Sequence, residues 1–122
     1  MKMKKALLVV ALALIVTACA TGGDPAATVE KYMRAKVGRD AETMRGLLCA
    51  RMEKQLQQEV TTFAGVAGVS LDGMACKQDG ANRVSCKGKV VALYGAEKME
   101  FPLVAYSVVK EDGEWKYCGE TR

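Results

Sequence analysis

Five cysteines, at positions 19, 49, 76, 86 and 118, constrain this chain more than any other feature. Three lysines, Lys2, Lys4 and Lys5, precede an apolar run from Ala6 to Val16, and the small residues Thr17 and Ala18 close it. That layout is a secretory signal, and the run is too short for a membrane span. An exported chain meets an oxidising compartment, where an odd thiol is unusual. Cys19 stands directly behind the small residues, apart from the rest. Setting it aside leaves Cys49, Cys76, Cys86 and Cys118, an even set that reads as two disulfides. A four-cysteine zinc site is disfavoured, because no two of them are spaced Cys-x-x-Cys.

The stretch Val16-Thr17-Ala18-Cys19 resembles the lipobox of bacterial lipoproteins. The resemblance implies that Cys19 is acylated (palmitate labelling would report it), becomes the mature N-terminus and anchors the protein to the cell envelope. Ala20 follows it rather than an aspartate, which by resemblance to sorted lipoproteins points to the outer membrane where the source has two. The alternative is an ordinary cleaved signal with a chance cysteine. The expected organisation is a signal peptide over 1–18, a lipidated tether over 19–24 and a single α+β domain over 25–122. Removing 1–18 leaves 104 of the 122 residues, with 15 of the 18 basic side chains against 14 acidic ones. A balance that even gives no reason to expect nucleic acid or a polybasic membrane patch.

Asp24-Pro25 opens a helix, with Asp24 as cap and proline at the first helical position. Ala26, Val29, Tyr32, Met33 and Val37 share one face at helical spacing, and Gly38 ends it. Asp40 caps a second, short helix with Met44, Leu47 and Leu48 inward. A third helix is expected from Arg51 to Ala64, striped by Met52, Leu56, Val60 and Phe63.

From Met74 the period becomes alternating, and four strands are expected: Met74–Gln78, Arg83–Leu93, Lys98–Lys110 and Glu114–Gly119. Pro102 near the start of the third suits a bulge or a free edge. A two-residue loop at Gly95-Ala96 pairs Tyr94 with Glu97, Ala92 with Met99 and Val90 with Phe101. A three-residue loop over Glu111 to Gly113 pairs Val109 with Trp115 and Ser107 with Tyr117. One face then carries Val84, Cys86, Val90, Ala92, Met99, Phe101, Leu103, Ala105, Val109, Trp115 and Tyr117, and the helices must cover it. The other face carries Val91, Leu93, Val104, Tyr106 and Val108, an apolar stripe of the kind that marks an interface.

This layout bears on the disulfides. Cys76 and Cys86 fall opposite one another on adjacent strands. Joining Cys86 to Cys118 would cross two strand spacings, about 10 Å, and joining Cys76 to Cys118 three, about 14 Å. A disulfide needs Cα atoms within about 7 Å. The expected pairs are therefore Cys76–Cys86 and Cys49–Cys118.

Three stretches carry a family resemblance: Ala27-Thr28-Val29-Glu30-Lys31-Tyr32, Leu47-Leu48-Cys49, and Asp112-Gly113-Glu114-Trp115-Lys116-Tyr117-Cys118-Gly119. Three helices followed by an antiparallel meander with this ending resemble the nuclear transport factor 2-like cone, and more closely a group of small bacterial lipoproteins of unknown function. The resemblance implies three N-terminal helices on a curved four-stranded antiparallel meander. It also implies a homodimer or protein partner on the outer stripe.

The chain has no histidine, which removes the commonest acid–base group and the usual serine-hydrolase base. No phosphate-cradling glycine loop is present. The expected core face holds no Asp or Glu; a helix acid such as Glu30 or Glu59 could point inward beside a tyrosine, but such residues normally face solvent. No cofactor or metal is expected. The reading is a non-catalytic lipoprotein that binds an apolar small molecule or a protein; the alternatives are a small isomerase-type enzyme and a structural surface lipoprotein without ligand. The large apolar groups on faces that must meet are Tyr32, Met33, Leu56, Phe63, Phe101, Leu103, Trp115 and Tyr117. They are the pocket candidates, unless they simply fill the core.

Overall fold

The computed structural model describes residues 23–121. The expected signal peptide, Cys19 and most of the tether lie outside the described residues. Helix α1 spans Pro25–Val37, α2 spans Ala41–Leu47, and a 3-10 segment, Ala50–Gln55, runs into the short α3, Leu56–Val60. Five strands follow: β1 Gly68–Gln78, β2 Arg83–Tyr94, β3 Glu97–Pro102, β4 Ala105–Glu111 and β5 Glu114–Glu120. Among the described residues the protein is α+β, with three α-helices and a five-stranded antiparallel sheet. Among the described residues no helix is long and apolar enough to cross a membrane.

The helix starts follow the local chemistry. The Asp24 carboxylate accepts the Ala26 N–H at 2.9 Å, and Asp40 accepts the Thr43 N–H at 3.2 Å. The buried face of α1 is Ala26, Val29, Tyr32, Met33 and Ala35. The expected third helix is instead a 3-10 segment with one α-helical turn, and it buries Met52. Arg51 within it donates to the Cys118 carbonyl at 3.1 Å, tying the segment to β5.

The sheet runs β1-β2-β4-β5, with β3 also paired to β2. Strand β1 takes one edge of β2 along its length; β3 and β4 share the other, at Lys89–Tyr94 and Arg83–Ser85 respectively. The expected third strand is thus two strands, interrupted at Leu103-Val104, and five strands replace the expected four. Leu103 N–H still donates to the Gly88 carbonyl at 2.9 Å and Cys86 N–H to the Val104 carbonyl at 3.0 Å. Strand β1 begins six residues earlier than expected. Asp72-Gly73, a turn signal by composition, sits in a bulge between Asp72 and Ala75.

Opposite that bulge lies Gly88, with φ +98°. A Cβ there would fall 2.6 Å from the Asp72 carbonyl oxygen and from the Gly73 carbonyl carbon and oxygen.

The β2–β3 register is Tyr94 with Glu97, Ala92 with Met99 and Val90 with Phe101. The β4–β5 register differs from expectation by one residue. Glu111 pairs with Glu114 across a two-residue Asp112-Gly113 turn, both with positive φ. That is the Asp-Gly hairpin turn. A one-residue slip exchanges the faces of a strand. The break at Leu103-Val104 makes the matching shift against β2, pairing Tyr106 with the buried Val84, so Tyr106 and Val108, expected outside, are buried, while Ala105 and Val109 take the outer side and are half-buried. The expected outer stripe keeps Leu93 and Val104 exposed and Val91 half-buried, and loses Tyr106 and Val108. Met99 and Phe101, expected in the core, are 42% and 38% exposed.

Candidate functional site

The last turn of α1 supplies Met33, Lys36 and Val37. The turn after α3 brings Thr62 and Phe63 opposite, and Val90, Phe101, Leu103, Tyr106 and Tyr117 close the space from the sheet side. Together they enclose a groove of about 390 Å³, within the size range of small-molecule sites. Met33, Val90, Leu103, Tyr106 and Tyr117 are buried and form its floor. The Phe63 and Phe101 rings lie 6.4 Å apart and tilted by 54°.

A second hollow of about 250 Å³ adjoins it, lined by Met52, Gln55, Gln58, Glu59 and Gly119. The two spaces share Lys36, Tyr117 and Glu120. The β4–β5 pairing explains the last of these. Val108 pairs with Tyr117 but Tyr106 with Glu120, so β5 carries an extra residue around Gly119. That bulge brings Glu120 to the same face as Tyr117.

Under the groove the rings of Tyr32 and Tyr117 stack, with centroids 3.8 Å apart and planes within 11°. The Tyr32 hydroxyl donates to Glu59 Oε1 at 2.9 Å, and Lys36 Nζ donates to Glu59 Oε2 at 2.8 Å. The side chains of Lys36 and Glu59 are only 17% and 16% exposed. Burial pushes the Tyr32 phenol far above its ordinary range, and the charge and hydrogen bond of Glu59 push it further. Burial, then the Glu59 charge, does the same to Tyr117. Both phenols stay protonated at physiological pH and act as hydrogen-bonding groups. Each Glu59 oxygen accepts one of these bonds, and the carboxylate keeps lone pairs on the side of the adjoining hollow. Among the described residues no cluster of His, Cys, Asp and Glu is arranged to hold a metal ion.

The structure brings Met33, Phe63, Phe101, Leu103 and Tyr117 together around the groove. Tyr32 lies beneath it, and Leu56 is outside it. Trp115 lines a different hollow of about 480 Å³ at the start of α1, with Ala27, Lys31, Leu47 and Gly46. Cys76 is bonded to Cys86, with Cα atoms 4.0 Å apart, and Cys49 to Cys118 at 5.3 Å. Sequence reasoning missed Lys36, Val90, Tyr106 and Glu120, and it placed Glu59 toward solvent. The spacing of Tyr32 and Lys36, one helical turn apart, was the available signal for a polar partner beneath the groove.

No family model and no curated protein matches the chain. Among solved structures it is similar to a SEC-C motif containing protein from Rhodopseudomonas palustris, determined in solution. The likeness has a TM-score of 0.56 at 11% identity and covers 81% of this chain and 79% of that one. At that identity it concerns the fold alone. It corrects the expected membership among nuclear transport factor 2-like lipoproteins, since the likeness found is to a SEC-C motif protein and not to that cone.

Proposed function

We propose that this chain is a lipid-anchored envelope protein whose domain binds an amphipathic small molecule without transforming it. The observation that carries the reading is the apolar groove beside a polar hollow, with Lys36, Tyr117 and Glu120 lining both. The apolar body of a ligand fits over Met33, Val90 and Leu103, and its polar end fits beside Gln55 and Gln58. Non-catalytic binding is favoured because the carboxylate turned inward, Glu59, is already paired with Lys36 Nζ and the Tyr32 hydroxyl, and the chain has no histidine to serve as its acid–base partner. The isomerase-type alternative draws on the same cluster, a carboxylate beside two phenols. It requires a free lone pair of Glu59 to face the substrate.

Anilinonaphthalene sulfonate, an apolar fluorophore with an anionic head, is the probe. At low micromolar protein it is expected to bind saturably at one site. Phe101→Ser removes part of the apolar wall, about 1 to 2 kcal/mol of contact, and weakens binding roughly tenfold. Unsaturable fluorescence, or equal affinity in the variant, rejects the groove.

Anchorage rests on the Val16-Thr17-Ala18-Cys19 stretch and has its own readout. The Cys19→Ser chain is expected to keep its signal and to take up no radiolabelled palmitate in cells that label the native chain. Normal labelling of that variant would remove the anchor from the proposal.

A further inference from the structure

We propose that two copies of this chain pair edge to edge through β3, forming an antiparallel ladder centred on Met99. Strand β3 is hydrogen-bonded to β2 on one side, and all six of its residues are exposed. Among the described residues no strand pairs with its other edge. An open edge of this kind is a template for another strand unless its sequence discourages pairing.

The hairpin fixes which backbone groups face outward. Tyr94 and Glu97 close the two-residue turn as a hydrogen-bonded pair, and bonded and non-bonded pairs then alternate. Glu97, Met99 and Phe101 therefore spend their N–H and C=O groups on β2. Lys98 and Glu100 direct theirs outward. Pro102 is also in the outward set, and having no N–H it ends the ladder.

Charge selects the register. Centred on Met99, the ladder sets Lys98 opposite the partner's Glu100, and Glu100 opposite the partner's Lys98. Both are hydrogen-bonded positions, so two opposite-charge pairs and the backbone bonds form together. Centred on Lys98, that lysine faces its own copy. Centred on Glu100, two carboxylates face each other and Pro102 enters the ladder. Like charges directly opposite destabilise a strand pair, and opposite charges stabilise it. Within one chain Glu100 already draws Lys98 to 3.4 Å and Lys89 to 3.0 Å, so the edge charges are neutralised and do not repel a second copy. On the other face Met99 meets the partner's Met99, and the partner's Glu97 stands across from Phe101 at the groove mouth. The two-fold axis is perpendicular to the joined sheet, so both grooves open on the same face. The inference stands independently of whether the groove holds a ligand.

A six-residue strand contact is small, so the association is weak, roughly 100 µM in solution. Sedimentation equilibrium of the full chain in density-matched detergent reads it. Lys98→Glu places two acidic residues on the edge and Glu100→Lys two basic ones, and each variant alone is expected to associate at least about tenfold more weakly than the native chain. An equimolar mixture of the two restores association, because every cross-strand pair is then opposite in charge. A second measurement is independent of variant stability. Met99→Cys cross-links to its own copy under a glutathione redox buffer, and Glu97→Cys does not, since the partner's Glu97 is four residues out of register. A native chain monomeric at millimolar concentration, a mixture that stays dissociated, or equal cross-linking of the two cysteine variants overturns the proposal.

Discussion

Gly88→Ala is expected to lower stability by about 4 kcal/mol, a large part of what a domain of this size possesses. Two costs combine. A side chain at φ +98° adopts a backbone conformation worth roughly 1 to 3 kcal/mol of strain. Its Cβ would also lie 2.6 Å from three backbone atoms of the β1 bulge, which cannot turn aside as a side-chain tip can. Relief requires moving Asp72 and Gly73, and overpacking of this sort costs roughly 1 to 3 kcal/mol. Gly46→Ala is the contrasting variant. Gly46 lies within α2 with nothing near its missing Cβ. Alanine there favours the helix by about 0.5 to 1 kcal/mol. Urea unfolding followed by Trp115 fluorescence compares the two. A loss below about 1 kcal/mol at Gly88 would mean that the β1 bulge yields freely.

The second large effect belongs to the longer disulfide. Cys49→Ala with Cys118→Ala opens a loop of 69 residues' separation, which on chain entropy costs about 4 kcal/mol. Cys76→Ala with Cys86→Ala opens one of separation 10 and costs about 3 kcal/mol on the same basis. The native contacts widen the difference. Cys49 N–H donates to the Tyr117 carbonyl at 2.9 Å, beside a parallel bridge between Leu48 and Tyr117. The bridge therefore clamps the chain after α2 against the residue that stacks beneath Tyr32. Losing it exposes the tyrosine pair and the groove floor. Denaturant midpoints of the two double variants decide the order. Equal losses, or a larger one for the hairpin bridge, would show that loop length does not govern stability here.

Some of the fold was readable because chemistry acts over a few residues. The Asp24-Pro25 start, the α1 stripe and the Gly95-Ala96 hairpin each rest on neighbours in sequence, and the β2–β3 register follows from that turn alone. The β4–β5 register was misread at one place. Reading Glu111-Asp112-Gly113 as a three-residue loop overlooks that Asp-Gly favours a two-residue turn with both residues at positive φ. That error, together with the break at Leu103-Val104 that shifts β4 by one residue against β2, exchanges the faces of β4 and puts Tyr106 on the outer stripe instead of the groove floor. The disulfide pairing survived, because it depended on strand order more than on register. Glu59 was misplaced for a different reason. A glutamate on a short helix normally faces water, and only the tertiary approach of Tyr32 and Lys36 gives it a reason to turn in.

The direction of α1 has a consequence for delivery. The 13-residue helix is about 20 Å long, with the Trp115 hollow at its first turns and the groove at its last. With the lipid on Cys19, the few residues before Pro25 reach no further than roughly 20 Å. Under the proposed anchorage the attachment point therefore lies at the Trp115 end of α1, and the groove at the other end. On that proposal the end of the domain that takes a guest is the one remote from the lipid, which favours collecting dissolved amphiphiles over extracting them from the membrane.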